Sequence, residues 1–92
     1  MKYVMFCRQL PCDTLQFEPV IFGNNQVHVD IAKAFIKIKG NSGFVPISAG
    51  EFNIGSNGEA VCSGRSETLD LNSNARDAAI IDTLDYGGGL FA

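Results

Sequence analysis

The residue best suited to acid–base or phosphoryl chemistry in this chain is its single histidine, His28. It lies in the segment His28-Val29-Asp30-Ile31, where an alternation of apolar residues changes into the spacing of an amphipathic helix. An imidazole suits proton or phosphoryl transfer because its pKa lies close to neutral pH. Two interpretations stay open: His28 acts on a bound anion, or it is an exposed first-turn or loop residue without chemistry.

The stretch 27–39 predicts the helix that would position this imidazole. Asp30 can cap or charge the start of the helix, and Gly40 ends it. Lys37 and Lys39 lie at the far end, so the charges match the helix dipole at both ends. A histidine at the start of a helix lies among unpaired backbone N–H groups, which favours an anion there.

A second group of candidate residues is the segment Ser63-Gly64-Arg65-Ser66, which is predicted to leave a strand and precede a helix. Its two hydroxyls, its backbone N–H groups and the guanidinium of Arg65 are donors that a phosphate accepts. The carboxylates of Glu67 and Asp70 act against an anion at this place. The segment is therefore predicted to bind an anion, and an ordinary polar loop is the alternative.

Other chemical motifs are missing from the sequence. One histidine, and no Cys or His pair at ligand spacing, predict neither a metal site nor a cofactor. The sequence has no Gly-x-Ser-x-Gly elbow and no Walker loop. Cys62 and Arg65 are too close in sequence to flank the phosphate loop of a cysteine phosphatase.

Composition predicts a small folded domain. The chain has 92 residues, of which 46% are hydrophobic and 18% charged, enough for one modest core. The net charge is −3, and the sequence has no run of Lys or Arg. Both features disfavour a nucleic-acid partner and attachment to a membrane surface. The N-terminal apolar run is too short for a secretory signal. Three cysteines, an odd number, indicate reduced thiols and a cytoplasmic location, and one disulfide is the alternative.

The remaining segments predict an α+β fold in which two helices pack against a small mixed sheet of four or five short strands. Asn57-Gly58 predicts a hairpin turn, and Pro19 confines its segment to a sheet edge or a looser extended arm. Asn74 or Ser73 is expected to cap the second helix. The predicted strands are 2–8, 16–22, 44–48, 51–54 and 59–62, and the second helix is 75–84. We expect residues 1–86 to form a single domain and residues 87–92 to form a glycine-rich C-terminal tail.

This pattern resembles the Janus/Ocnus family, the protein histidine phosphatases. The resemblance is carried by the segment 27–31 at a helix start, by Lys2-Tyr3-Val4, and by a small-residue loop that falls on 63–66. It implies hydrolysis or transfer of phosphate from phosphohistidine or phospholysine. His28 would take or activate the phosphoryl group, and Ser63 with backbone N–H groups would hold it. The sequence departs from the family at 48–51, where an acid replaces an expected cation.

Two functions are therefore predicted. The first is a phosphohistidine or phosphoramidate phosphatase that binds a phosphorylated protein or a small phosphate-like anion. The alternative is a non-catalytic protein-interaction module that binds a protein partner or a second copy of itself. Its contact surface would be an exposed sheet edge or the C-terminal tail with Leu90 and Phe91.

Overall fold

The structure, a computed structural model, describes residues 1–40 and 42–84. The predicted tail at 87–92 lies outside the described residues. Among the residues described, no helix has the length and apolar character needed to cross a membrane. The elements are β1 (Lys2–Gln9), β2 (Leu15–Phe22), α1 (His28–Lys39), β3 (Val45–Ile54), β4 (Ala60–Ser63), β5 (Arg65–Ser66), β6 (Leu71–Asn72) and α2 (Ala75–Leu84).

Four strands form the main sheet in the order β2-β1-β3-β4, and β5 and β6 form a separate small ladder. The predicted α+β class, with two helices and a four-stranded sheet, is confirmed. The sheet was expected to be mixed, whereas every pairing within the described residues is antiparallel. The reason is that α1 carries the chain from β2 across β1, so that β2 and β3 both run opposite to the strand between them.

Strand β1 is the centre of the core. Its residues from Tyr3 to Cys7 are all buried, as expected for an apolar run rich in β-formers. Because side chains alternate along a strand, Val4 and Phe6 pack on the α1 side. Tyr3 and Met5 pack with Ile81 on the α2 side. The sheet is therefore covered by one helix on each face.

Helix α1 has the predicted end but not the predicted cap. Gly40 has φ 63°, and its N–H donates to the carbonyl of Ile36 at 2.9 Å, which ends the helix. The N-cap residue is Val27, which supplies no side-chain hydrogen bond. Asp30 lies in the first turn, where its charge favours the helix dipole.

Strand β3 is longer than predicted. Segments 44–48 and 51–54 were expected as separate strands, but Val45–Ile54 is one strand of ten residues. Its pairing with β1 shifts register between Met5 and Phe6, close to Pro46, and such an irregularity accommodates a proline within a strand. The predicted hairpin is confirmed, because β3 and β4 pair around a turn in which Gly58 has φ 80°.

Helix α2 begins with the predicted cap at Asn74. The Oδ1 atom of Asn74 accepts the N–H of Arg76 at 3.0 Å, and Asp77 Oδ2 accepts the N–H of Asn74 at 3.0 Å. This reciprocal arrangement satisfies two backbone donors at the helix start. Asp77 also accepts the hydroxyl of Tyr3 at 2.5 Å, which ties α2 to the central strand.

Candidate functional site

His28 is the first residue of α1 and is only 7% exposed. Its Nε2 atom lies 2.9 Å from the carbonyl oxygen of Gly50, and because a carbonyl only accepts, Nε2 carries the hydrogen and donates it. The imidazole also packs edge-on against Phe22, with ring centroids 5.4 Å apart. His28 is therefore not an exposed first-turn residue. None of these contacts tests its role in phosphoryl transfer, which stays a prediction.

Gly50 connects His28 with the second group of candidates. Its carbonyl accepts the imidazole hydrogen bond, and its α-carbon lies against the end of β4. A methyl group at this position would overlap the backbone carbonyl of Ser63. Only glycine therefore lets β4 approach this closely.

The predicted anion-binding segment forms a corner between two strands. Ser63 ends β4, Gly64 has φ 74°, and β5 begins at Arg65. The Nη2 atom of Arg65 lies 2.5 Å from Asp70 Oδ1, so the guanidinium already has a carboxylate partner. Ser66 is fully buried, and its hydroxyl accepts the N–H of Leu69 at 3.2 Å. Anion binding by this segment is not tested by these contacts and stays a prediction.

Thr68, which was not predicted, brings the two groups together at the start of α1. The N–H of Val29 donates to Thr68 Oγ1 at 3.3 Å, and the same oxygen lies 3.3 Å from Ser66 Oγ. One sequence signal could have indicated such a residue. Val27 precedes the helix and has no side-chain acceptor, so the first N–H groups of the helix need an acceptor from another part of the chain. Thr68 in the β5–β6 turn thus accepts one of the backbone N–H groups at the place where an anion was predicted.

A tyrosine, a thiol and a carboxylate lie close to one another under α2. Burial, then hydrogen bonding and the charge of Asp77, raise the pKa of Tyr3. Burial, followed by the charge of Asp77, raises the pKa of Cys62 to about 11. Asp77 is fully buried, and its Oδ1 has no hydrogen-bond partner among the described residues. No group of three or more His, Cys, Asp or Glu side chains in the described ranges could hold a metal ion.

A groove lies between β2 and α2, and we call it the β2–α2 groove. Its volume is about 580 Å³. Leu15 is 53% exposed and Leu84 is 44% exposed. The groove is lined by Leu10, Leu15, Gln16, Phe17, Glu18, Arg76, Ala79, Ile80, Thr83 and Leu84. The α2 residues follow helical spacing along one side of the helix, so the groove has one helical wall and one strand wall.

The outer edge of β2 borders this groove, and the hydrogen-bond pattern fixes which peptide groups point outward. Phe52 N–H donates to the carbonyl of Met1 at 2.7 Å, so the N–H and C=O groups of odd-numbered β1 residues point toward β3. The N–H and C=O groups of even-numbered β1 residues therefore point toward β2, as the bond from Leu10 N–H to the carbonyl of Thr14 at 2.8 Å confirms. By the register of the pair, Leu15 and Phe17 point their N–H and C=O groups away from the sheet.

The two outer edges of the sheet differ. At the β4 edge, the outward N–H of Ala60 donates to Asp82 Oδ1 of α2 at 2.9 Å. At the β2 edge, the N–H groups of Leu15 and Phe17 form no hydrogen bond with another described residue. Pro19 occupies an outward position of the same strand, where its missing N–H costs no ladder hydrogen bond. The prediction that Pro19 lies in an edge strand is confirmed.

Comparison with family models, with curated proteins and with solved structures finds no match to this chain. The resemblance to the Janus/Ocnus family therefore stays a prediction.

Proposed function

We propose that this chain is a non-catalytic protein-interaction module whose contact surface is the β2–α2 groove. The partner is a protein that contributes an apolar segment in an extended conformation. The observation that supports this most strongly is the groove itself, an open space of about 580 Å³ between a strand edge and a helix. Exposed apolar surface of this kind is typical of protein-interaction sites.

The lining of the groove favours this role. Apolar side chains of both walls are exposed, among them Leu15 and Leu84. Covering them would contribute about 25 cal/mol for each Å² of apolar surface removed from water.

A selection experiment with matched controls tests the proposal. A displayed library of random peptides is selected on the immobilised full chain, and the enriched peptides are measured against two variants. Ala79→Lys places a charged side chain in the groove, whereas Ala34→Lys makes the same change at an exposed alanine of α1. We expect the affinity to fall at least about tenfold for Ala79→Lys only, a difference of about 1.4 kcal/mol. Equal binding to all three chains, or no enriched peptide, would contradict the proposal.

The proposal includes a reducing compartment such as the cytoplasm. It is supported by the odd number of cysteines and by the three free thiols of Cys7, Cys12 and Cys62.

A second candidate function, binding of a phosphate-like anion with phosphatase activity, is favoured by one observation. His28, Ser66 and Thr68 converge on the first turn of α1. This proposal expects vanadate to shift the amide signals of Val29 and Ser63, and it expects phosphoramidate turnover that disappears in His28→Ala. Absence of both signals at millimolar vanadate would exclude it, and the fold of His28→Ala is checked by circular dichroism.

A further inference from the structure

We infer that the β2–α2 groove binds its partner by strand addition. An extended segment pairs with the outer edge of β2 at Leu15 and Phe17, directs alternate apolar side chains into the groove, and places a carboxylate against Arg76. This inference rests on the proposed function and specifies the chemistry of the partner. Three independent features of the described residues support it.

The first feature is the set of backbone groups at the edge. Leu15 and Phe17 together offer two N–H donors and two C=O acceptors that point away from the sheet. An added strand uses such groups for its main-chain hydrogen bonds. Pro19, the next outward residue, has no N–H, so the ladder loses a donor there. The paired part of the partner is therefore short.

The second feature is the position of the groove relative to that edge. The side chain of Phe17 packs with the cluster on the α2 side of the sheet. A strand added about 4.8 Å beyond β2 would direct every second side chain to this same side. Those side chains would enter the space between β2 and α2. The partner therefore carries apolar residues at alternate positions.

The third feature is the guanidinium of Arg76 at the groove, which has no ion-pair partner in the described part of the chain. The guanidinium of Arg76 lies 5.5 Å from the centre of the Phe17 ring, and it forms no ion pair with another described residue. Glu18, which also lines the groove, is paired with Lys39 at 3.4 Å. A guanidinium held over an aromatic floor binds carboxylates with two parallel hydrogen bonds. The partner therefore carries an acidic residue beside its apolar ones.

Four synthetic peptides test this inference on the full chain. The parent peptide alternates leucine and threonine over six residues and carries a glutamate at each end, so that either strand direction is covered. The second peptide has glutamine in place of both glutamates. The third has N-methyl groups on alternate backbone nitrogens, and the fourth has the same composition with the leucines adjacent. Affinity is measured by calorimetry, and the contact surface is mapped by amide chemical shifts.

We expect the parent peptide to bind and to shift the amide signals of Leu15 and Phe17. N-methylation and loss of alternation should each weaken binding at least tenfold. Glutamine in the peptide and Arg76→Gln should each weaken binding about tenfold, the size of one charge-assisted contact, and their combination should weaken it no further. Lys33→Gln, which removes an exposed cation of α1 away from the groove, should leave the affinity unchanged.

Several results would overturn the inference. If the parent does not bind, or if the N-methylated peptide binds equally well, strand addition is wrong. If neither glutamine nor Arg76→Gln changes the affinity, the carboxylate contact is wrong. Either result would leave the proposed function standing, provided that selected peptides still lose affinity for Ala79→Lys. If a Leu90→Ser, Phe91→Ser chain shifts the Leu15 and Phe17 signals without peptide, the occupant is this chain itself, and the inference is overturned.

Discussion

The start of α1 and the β2–α2 groove are opposite in character. At the start of α1, His28 donates to Gly50, the N–H of Val29 donates to Thr68, and Ser66 is buried. At the groove, Leu15 and Leu84 are exposed and Arg76 lacks an ion-pair partner among the described residues. Polar residue types that are suited to catalysis can therefore serve to join secondary-structure elements, while ordinary apolar residues form the open surface.

The same contrast separates the two helices. Helix α1 lacks a side-chain cap of its own and is joined to the β5–β6 turn through Thr68. Helix α2 caps its own start through Asn74 and Asp77, and Asp82 covers the β4 edge. Since these contacts secure α2 by its start and by its β4 side, its other side is left to form a wall of the groove.

The largest effect is expected at Gly50, where the end of β4 lies against the backbone of β3. Gly50→Ala should lower the free energy of unfolding by about 3 kcal/mol, because its methyl group would overlap the backbone carbonyl of Ser63. Gly23→Ala is the matched control, since its methyl group would meet only the side chain of Asn25, at 3.1 Å. Urea unfolding measures both variants. Equal losses would mean that β4 does not press against Gly50.

A smaller loss is expected at the polar contact under α2. Tyr3→Phe should lower the free energy of unfolding by about 2 kcal/mol, because it removes a buried hydrogen bond to a carboxylate. Tyr3→Phe is compared with the double variant Tyr3→Phe, Asp77→Asn. Phe6→Tyr is not a suitable control, because it adds a buried hydroxyl. If the single variant is as stable as the original chain, the contact contributes nothing.

His28→Ala should cost about 1.5 kcal/mol through loss of the bond to Gly50 and of the edge contact with Phe22. His28→Gln, whose amide nitrogen can replace Nε2, should recover part of the loss. Urea unfolding of the two variants distinguishes the contributions. An unchanged stability of His28→Ala would argue that the histidine is not a structural link.

Alkaline pH should weaken the polar contact under α2, whereas the contacts at the start of α1 should not change. The pKa of Cys62 is 9.0 in the unfolded chain and about 11 in the folded chain. Its contribution to the free energy of unfolding is therefore complete below pH 9 and is lost as the pH rises to 11. Tyr3, whose pKa is raised from 10.0, extends the loss above pH 10. In Cys62→Ala the decline should begin near pH 10 instead of pH 9. A stability curve identical to that of the original chain would contradict this.

Much of the fold could be predicted from sequence because its signals are local. Gly40 requires a conformation that ends a helix, and Asn57-Gly58 requires a hairpin turn. Asn74 is a cap because its side chain accepts a nearby N–H. The direction of β3 relative to β1 could not be predicted, because it depends on which strand lies between β2 and β3.

The candidate site was less predictable because it depends on contacts distant in sequence. The partner of His28 is a backbone carbonyl at Gly50, and a carbonyl leaves no mark on the sequence. The burial of Asp77 depends on Tyr3, 74 residues away. Its pairing with Asn74 was readable in principle, as the spacing of a reciprocal helix cap. The groove requires Leu15 and Leu84 to come together, which only the packing of α2 on the sheet decides.

One measurement tests most directly whether the groove, and not the start of α1, is the binding surface. The full chain, labelled with ¹⁵N, is titrated with the parent peptide of alternating leucine and threonine, and the shifted amide signals are mapped. The largest shifts are expected at Leu15, Phe17 and Ala79. Shifts centred on Val29 and Thr68, or no shifts at saturating peptide, would contradict this assignment of the surface.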